Sequence, residues 1–156
     1  MPNVPGARDA DAFTVALTLL SARELSESQL RTRLKRREID DADIDATVER
    51  LKADRTLNDR RVALAIARIE SHIKHRGRAR IIQKIRQAGI DGDTAEEAVS
   101  EAFQDVDENA VLDRAFERRL RGATVKELDE KGRARIIRGL VAQGFPLESI
   151  LKRLKR

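Results

Sequence analysis

Residues 77–90 read GRARIIQKIRQAGI, and residues 132–145 read GRARIIRGLVAQGF. Gly77, Arg78, Ala79, Arg80, Ile81, Ile82 and Gly89 recur as Gly132, Arg133, Ala134, Arg135, Ile136, Ile137 and Gly144. Ile85/Leu140 and Ile90/Phe145 keep apolar character. A looser copy, SESQLRTRLKRREI at residues 26–39, places Leu30, Leu34 and Ile39 where the second has Ile81, Ile85 and Ile90. Copies that start at residues 26, 77 and 132 are spaced for a supersecondary unit of about three helices each.

Helix signals fill in the units. In the first, Phe13, Ala16, Leu17 and Leu20 recur at helical spacing. Ser26 with Gln29 forms a capping-box pattern, and Ile44, Val48 and Leu51 mark a third helix over 42–53. The second unit starts near Asn58 and Asp59, carries Val62, Ile66, Ile69 and Ile73, then the quoted line, then a helix over 94–104 with Ala95, Ala98, Val99 and Ala102. Gly89 suits the left-handed position after a helix. The third starts near Asp107 with Val111, Ala115 and Leu120, loosens over RGATVKELDEKG, and repeats the quoted line. Pro146 then suits the first turn of a last helix carrying Ile150, Leu151 and Leu154. No segment alternates with period two. The expected fold is all-α: three tandem three-helix repeats (9–54, 55–105 and 106–156) in an elongated, curved array, after a disordered Pro/Gly-rich tail at 1–8.

Composition agrees. Of the 156 residues 38% are charged and 3% aromatic, without Trp or Tyr. Much Ala, Leu, Arg and Glu suits helices with a large exposed surface. Cysteine is absent, which excludes disulfides and thiolate chemistry. Neither a signal peptide nor a membrane-spanning run is evident, so a cytoplasmic protein is expected.

The net charge of +5 is unevenly spread. The middle helices are basic: Arg31, Arg33, Arg36 and Arg37 in the first; Arg76, Arg78, Arg80, Lys84 and Arg86 in the second; Lys131, Arg133, Arg135 and Arg138 in the third. The third helices of units one and two are acidic, with Asp40, Asp41, Asp43, Asp45 and Glu49, then Asp91, Asp93, Glu96, Glu97 and Glu101. Charge on a helix face often serves only solvation. Recurrence in three units favours a surface that tracks a polyanionic lattice, DNA backbone or a filament of acidic subunits. Acidic third helices argue against major-groove reading, and the lack of Tyr and Trp removes a stacking platform for single-stranded bases.

Nothing points to catalysis. His72 and His75 stand three apart without further ligands, and there is no phosphate-binding Gly-rich loop before Lys-Ser/Thr and no nucleophile elbow. A non-enzyme without cofactor or metal is expected.

Taken in order, ALTLLSARELSESQLRTRLKRREI, LKADRTLND with RVALAIARI, RGRARIIQKIRQAGI and GRARIIRGLVAQGFPLESIL resemble the successive signatures of the bacterial RecX regulatory proteins, over residues 13–155. Departures are Glu38 where the family has Gly, Arg55 and Thr56 where Gly and an aromatic are common, and Val62 for Phe. A non-Gly residue held left-handed at position 38 would cost on the order of 1 kcal/mol. The resemblance implies tandem three-helix repeats in a curved array. It also implies a monomeric modulator that lies in the groove of the RecA–DNA filament, restrains its growth and inhibits the recombinase, within DNA repair, recombination and the SOS response. It hands over no contact residues; the thirteen basic residues named above are assigned on charge. The competing expectations are a nonspecific binder of single- or double-stranded DNA and a scaffold for another acidic protein.

Overall fold

Every described element is helical, and local chemistry sets where each begins. The computed structural model describes the backbone of residues 5–156 and the side chains of residues 11–156. Helices α1 (Pro5–Ala22), α2 (Glu27–Lys35) and α3 (Asp41–Ala53) come first. Next are α4 (Asp59–Arg68), which runs into a π-helical turn (Ile69–Ile73), α5 (Arg78–Gln87) and α6 (Gly92–Ala102). The last are α7 (Glu108–Leu120), a 3-10 turn (Val125–Glu127), α8 (Glu130–Ala142) and α9 (Leu147–Leu154). Ser26 and Gln29 form the expected capping box: the Gln29 amide donates to Ser26 Oγ at 3.1 Å and the Ser26 amide to Gln29 Oε1 at 3.0 Å. Asn58 caps α4 by accepting from the Arg61 amide at 3.0 Å. Gly89 and Gly144 follow α5 and α8 at φ +80° and +92°.

Each triplet encloses its own apolar cluster. In α1–α3 it comprises Ala16, Leu25, Leu30, Leu34, Ile44, Val48, Leu51 and Leu57. In α4–α6, Val62, Ala63, Ala67, Ile81 and Ile85 meet Ala95, Ala98, Val99 and Ala102. In α7–α9, Val111, Leu112, Ala115 and Phe116 meet Ile136, Leu140, Phe145, Ile150 and Leu154. Each fully buried Leu or Ile contributes about 1.5–3 kcal/mol.

Four details differ from the sequence reading. Residues 1–4 of the expected disordered tail lie outside the described residues, whereas 5–8 belong to α1. Pro5 fits a first helical position, where no intrahelical amide bond is missed. The expected stripe of α4 is buried only at its start: Val62 is in the cluster and Ile66 packs partly against it, but Ile69 and Ile73 are 47% and 69% exposed, while Ala63, Ala67, Glu70 and Ser71 face inward. The small residues there share a cluster with the alanines of α6 and let the two helices approach closely. Helix α8 starts two residues before Gly132, because Asp129 Oδ1 accepts from the Gly132 amide at 2.7 Å and caps the extra turn. In α9, Leu151 is 37% exposed and Arg153 takes a buried place beside Ile150 and Leu154.

The triplets join in one recurring way. At the first junction Ser26, N-cap of α2, donates its hydroxyl to the carbonyl of Ala88, C-cap of α5. The Glu27 amide donates to Asp59 Oδ1 at 2.8 Å. At the second junction Gly77, N-cap of α5, donates its amide to the carbonyl of Gln143, C-cap of α8, at 2.8 Å. Ser26 and Gly77 occupy matching places in the repeated line, as do Ala88 and Gln143. The three middle helices therefore meet end to end in the order α8, α5, α2, with the electropositive start of one against the electronegative end of the next. At each junction the glycine after the C-cap has no room for a side chain. A Cβ at Gly89 would overlap the side chain of Ser28, and one at Gly144 would lie 2.8 Å from the Gly77 carbonyl oxygen.

This explains how Glu38 is tolerated. It matches Gly89 and Gly144 and takes the same left-handed backbone, φ +59°, but it is exposed and ends the row. It bears backbone strain without a clash. Arg55, the second position read as a departure from glycine, also has positive φ, at +61°. Glu38→Gly is expected to stabilise the chain by about 0.5–1 kcal/mol, read as a rise of about 1–4 °C in thermal midpoint.

Candidate interaction surface

The end-to-end row brings all thirteen assigned basic residues onto α2, α5, α8 and their flanks, but it uses several of them internally. Arg31 bonds Glu27 at 3.1 Å and Asp45 at 2.6 Å, which ties α2 to α3. Arg78 pairs with Glu108 at 2.6 Å and lies over the Phe103 ring, 4.7 Å from its centroid, linking the second triplet to the third. Lys84 pairs with buried Glu70. Arg133 reaches the carbonyls of Leu128, Val125 and Leu154 at 3.3–3.4 Å and pins α8 to its own triplet. Arg80 is exposed and bonds only Gln83, on its own helix, at 2.9 Å.

The remaining eight have no side-chain partner among the described residues. Arg36, Arg37, Arg86, Lys131, Arg135 and Arg138 are exposed, and Arg33 and Arg76 are half-buried. The cations without an acidic partner among the described residues are thus spread along the row, with Arg36 and Arg37 at one end, Arg80 and Arg86 near the middle, and Lys131, Arg135 and Arg138 toward the other end.

Acidic groups are handled differently. In the first triplet the acids of α3 pair with α2: Asp45 with Arg31, and Asp41 with Lys35 at 3.5 Å. On α6, Asp93, Glu96 and Glu97 line an open acidic cleft with Arg60, which reaches Glu101 at 3.4 Å. Asp59 is pushed up from the ordinary carboxylate value by burial, against the opposing hydrogen bond from the Glu27 amide.

Glu70 anchors the middle of the row. Burial raises its carboxyl pKa, but hydrogen bonds and charge from Lys84 and Lys74 outweigh this and hold it below its usual value of 4.5. Lys74 lies 3.0 Å from it. A lowered folded value means Glu70 adds stability fully above the unfolded value and loses it as pH falls through the folded one. The expected result is that Glu70→Gln flattens the decline in thermal midpoint below about pH 4.5, relative to the unmodified chain.

Sequence reasoning missed a second cationic group. Arg118, Arg119 and Arg121 at the end of α7 converge with Lys74, His75 and Arg135 around one pocket. Two local signals mark them: the ERRLRG run and the basic stretch HIKHR.

Among the described residues there is no cluster of three or more metal-ligating side chains. No described helix is long and apolar enough to cross a membrane.

Two family models match the chain: the first three-helix domain of RecX over residues 12–51 and the second over 58–99. Curated proteins named regulatory protein RecX align along nearly the whole length. One from Chlorobium phaeobacteroides is 31% identical over 94% of this chain and 93% of its own. One from Syntrophotalea carbinolica is 30% identical over 86% and 88%. The chain belongs to the RecX family. Solved structures carry the same fold. RecX from Lactobacillus salivarius superposes with a TM-score of 0.82 at 18% identity, covering 96% of this chain and 98% of that one. A second, named regulatory protein RecX, gives 0.81 at 20% identity. Membership makes this a regulatory protein by family and accounts for the three-helix domains of the first two triplets.

Proposed function

We propose that the chain binds the RecA–DNA filament along the row α8–α5–α2 and limits filament extension, ATPase and recombinase activity. The observation that carries this reading is the end-to-end seating of three basic helices. The three triplets act as tandem repeats in an elongated, curved array, and each presents unpaired cations to a different protomer. Contacts that are weak singly then add through high effective concentration. The protein works as a cytoplasmic monomer without catalysis of its own. The free cations Arg36, Arg37, Arg80, Arg86 and Arg138 face acidic filament surface or DNA phosphate, and the acidic cleft of α6 faces elsewhere.

The test is inhibition of RecA's DNA-dependent ATPase by Arg80→Glu/Arg138→Glu. Both residues are exposed and neither pairs with an acid, so the fold is kept. Reversing two rim charges is expected to raise the concentration for half-inhibition about tenfold or more. Full inhibition by the folded double variant overturns the assignment of the surface. Tight, salt-sensitive duplex binding by the unmodified chain without RecA, weakened in the double variant in parallel with inhibition, supports the nonspecific DNA binder instead.

A further inference from the structure

Between the second and third triplets lies a cavity of about 360 Å³ lined by Lys74, His75, Arg118, Arg119, Arg121 and Arg135, with no carboxylate in its wall. The cations come from three separate elements: the end of the π-helical turn, the last turn of α7, and α8. Among the described residues Lys74 alone has an acidic partner, Glu70. Gathering like charges without counter-charge is unfavourable, and charged residues of this kind are rarely left so without an acceptor. Here the fold holds them in place. Arg119 lies across Gly139, where any Cβ would collide with its guanidinium, so the absence of a side chain on α8 lets it reach the cavity. Arg119 Nε is buried and without a hydrogen-bond partner among the described residues. His75 and Arg121 are both left-handed, each at φ +51°, backbone strain of the kind that clusters at functional sites.

We propose that this cavity is a phosphate-binding site that recognises the phosphate group and not a base. Guanidinium forks match the oxygens of a phosphate in paired hydrogen bonds. The number of cations exceeds what a single carboxylate neutralises, which favours a group of higher charge. No aromatic side chain lines the wall, so nothing there stacks on a base. The phosphate has two possible sources, a nucleic-acid backbone or a free oligophosphate, and both use the same chemistry. The site is independent of the filament reading, because it is measured without recombinase.

His75 reports occupancy. Burial first, then the charges of Arg118 and Arg114, hold its imidazole below the usual value. Lys74, Arg119, Arg121 and Arg135 line the same cavity. A bound anion offsets it and moves the His75 pKa upward.

The experiment titrates inorganic pyrophosphate into the full chain by calorimetry, with a ring-proton NMR titration that separates His75 from His72 through His72→Gln. The comparison is Arg118→Gln/Arg135→Gln, two exposed positions whose loss leaves the apolar cluster intact. The unmodified chain is expected to bind pyrophosphate and raise the His75 pKa. The double variant, with an unchanged melting curve, is expected to bind about tenfold more weakly or worse, as loss of charge-assisted hydrogen bonds implies. A short single-stranded oligonucleotide weakened in parallel identifies the backbone as the source; one not weakened identifies free oligophosphate. Equal pyrophosphate affinity in both chains, no binding at all, or tighter binding of a glutamate-rich peptide than of pyrophosphate overturns the proposal.

Discussion

Gly77→Ala is expected to destabilise the chain by about 2–3 kcal/mol, while Gly132→Ala changes stability by less than about 1 kcal/mol. The two glycines hold the same place in the repeated line, so the contrast isolates their surroundings. Gly77 has an ordinary backbone, φ −80°, and its requirement is one of space alone. A Cβ there would overlap the Gly144 carbonyl and stand 2.8 Å from the Phe145 nitrogen. Both are backbone atoms of another triplet, which cannot rotate away as a side chain would. Relief requires α5 and α8 to separate, and that weakens the 2.8 Å bond from the Gly77 amide to Gln143. Among the described residues no other triplet packs against Gly132. A Cβ there meets only its own cap, Asp129 Oδ1 at 3.0 Å and the Leu128 side chain at 3.4 Å. The gain in helix propensity from Ala offsets a small shift of that cap. Urea unfolding followed by circular dichroism reads both changes. Equal effects at the two positions would refute the end-to-end junction.

Arg153→Ala follows, with an expected loss of about 2–4 kcal/mol. Arg153 is the most buried cation of the chain's C-terminal run: its side chain is 8% exposed. Its Nε lies 2.5 Å from Asp113 Oδ1, and its other nitrogens reach the Ser149 carbonyl at 2.9 Å and Asn109 at 3.2–3.3 Å. These bonds lock α9 onto the first turns of α7. Truncation removes the hydrogen bonds and leaves a gap in the cluster. Asp113 is 46% exposed and is solvated when its partner is gone, so Asp113→Asn is expected to cost about 1 kcal/mol or less. Arg153→Lys, which keeps the charge and loses the fork, falls between. The same unfolding measurement orders the three. A cost for Asp113→Asn equal to that of Arg153→Ala would show that the pair alone, not the carbonyl contacts, holds α9.

Much of the fold was legible because its signals are local. Ser26 with Gln29, Asn58, Gly89 and Gly144 each act within a turn, and each sits where the sequence places it. The apolar clusters followed from spacing wherever one large residue per turn faced inward, as with Ile44, Val48 and Leu51. Spacing misled in α4. There the larger isoleucines flank the interface while alanines form it, and periodicity by itself does not tell a buried small stripe from an exposed large one. Arg153 was hidden inside KRLKR, since nothing local separates a cation that finds Asp113 forty residues away from one left in solvent. The repeated line pointed to basic helices but not to their order in space. That order comes from contacts between Ser26 and Ala88 and between Gly77 and Gln143, which are distant in sequence. For the same reason the basic residues divided only in three dimensions. Arg31, Arg78, Lys84 and Arg133 hold the structure together, and Arg80, Arg86, Arg135 and Arg138 are left for a partner.

The central claim is that this row of free cations engages the recombinase filament and restrains it. The most direct measurement is the rate of RecA filament extension on single-stranded DNA, followed filament by filament, with the unmodified chain and with Arg80→Glu/Arg138→Glu. The account predicts slowed or arrested extension with the unmodified chain and near-normal extension with the folded variant. Extension that proceeds at full rate under saturating unmodified chain would contradict it.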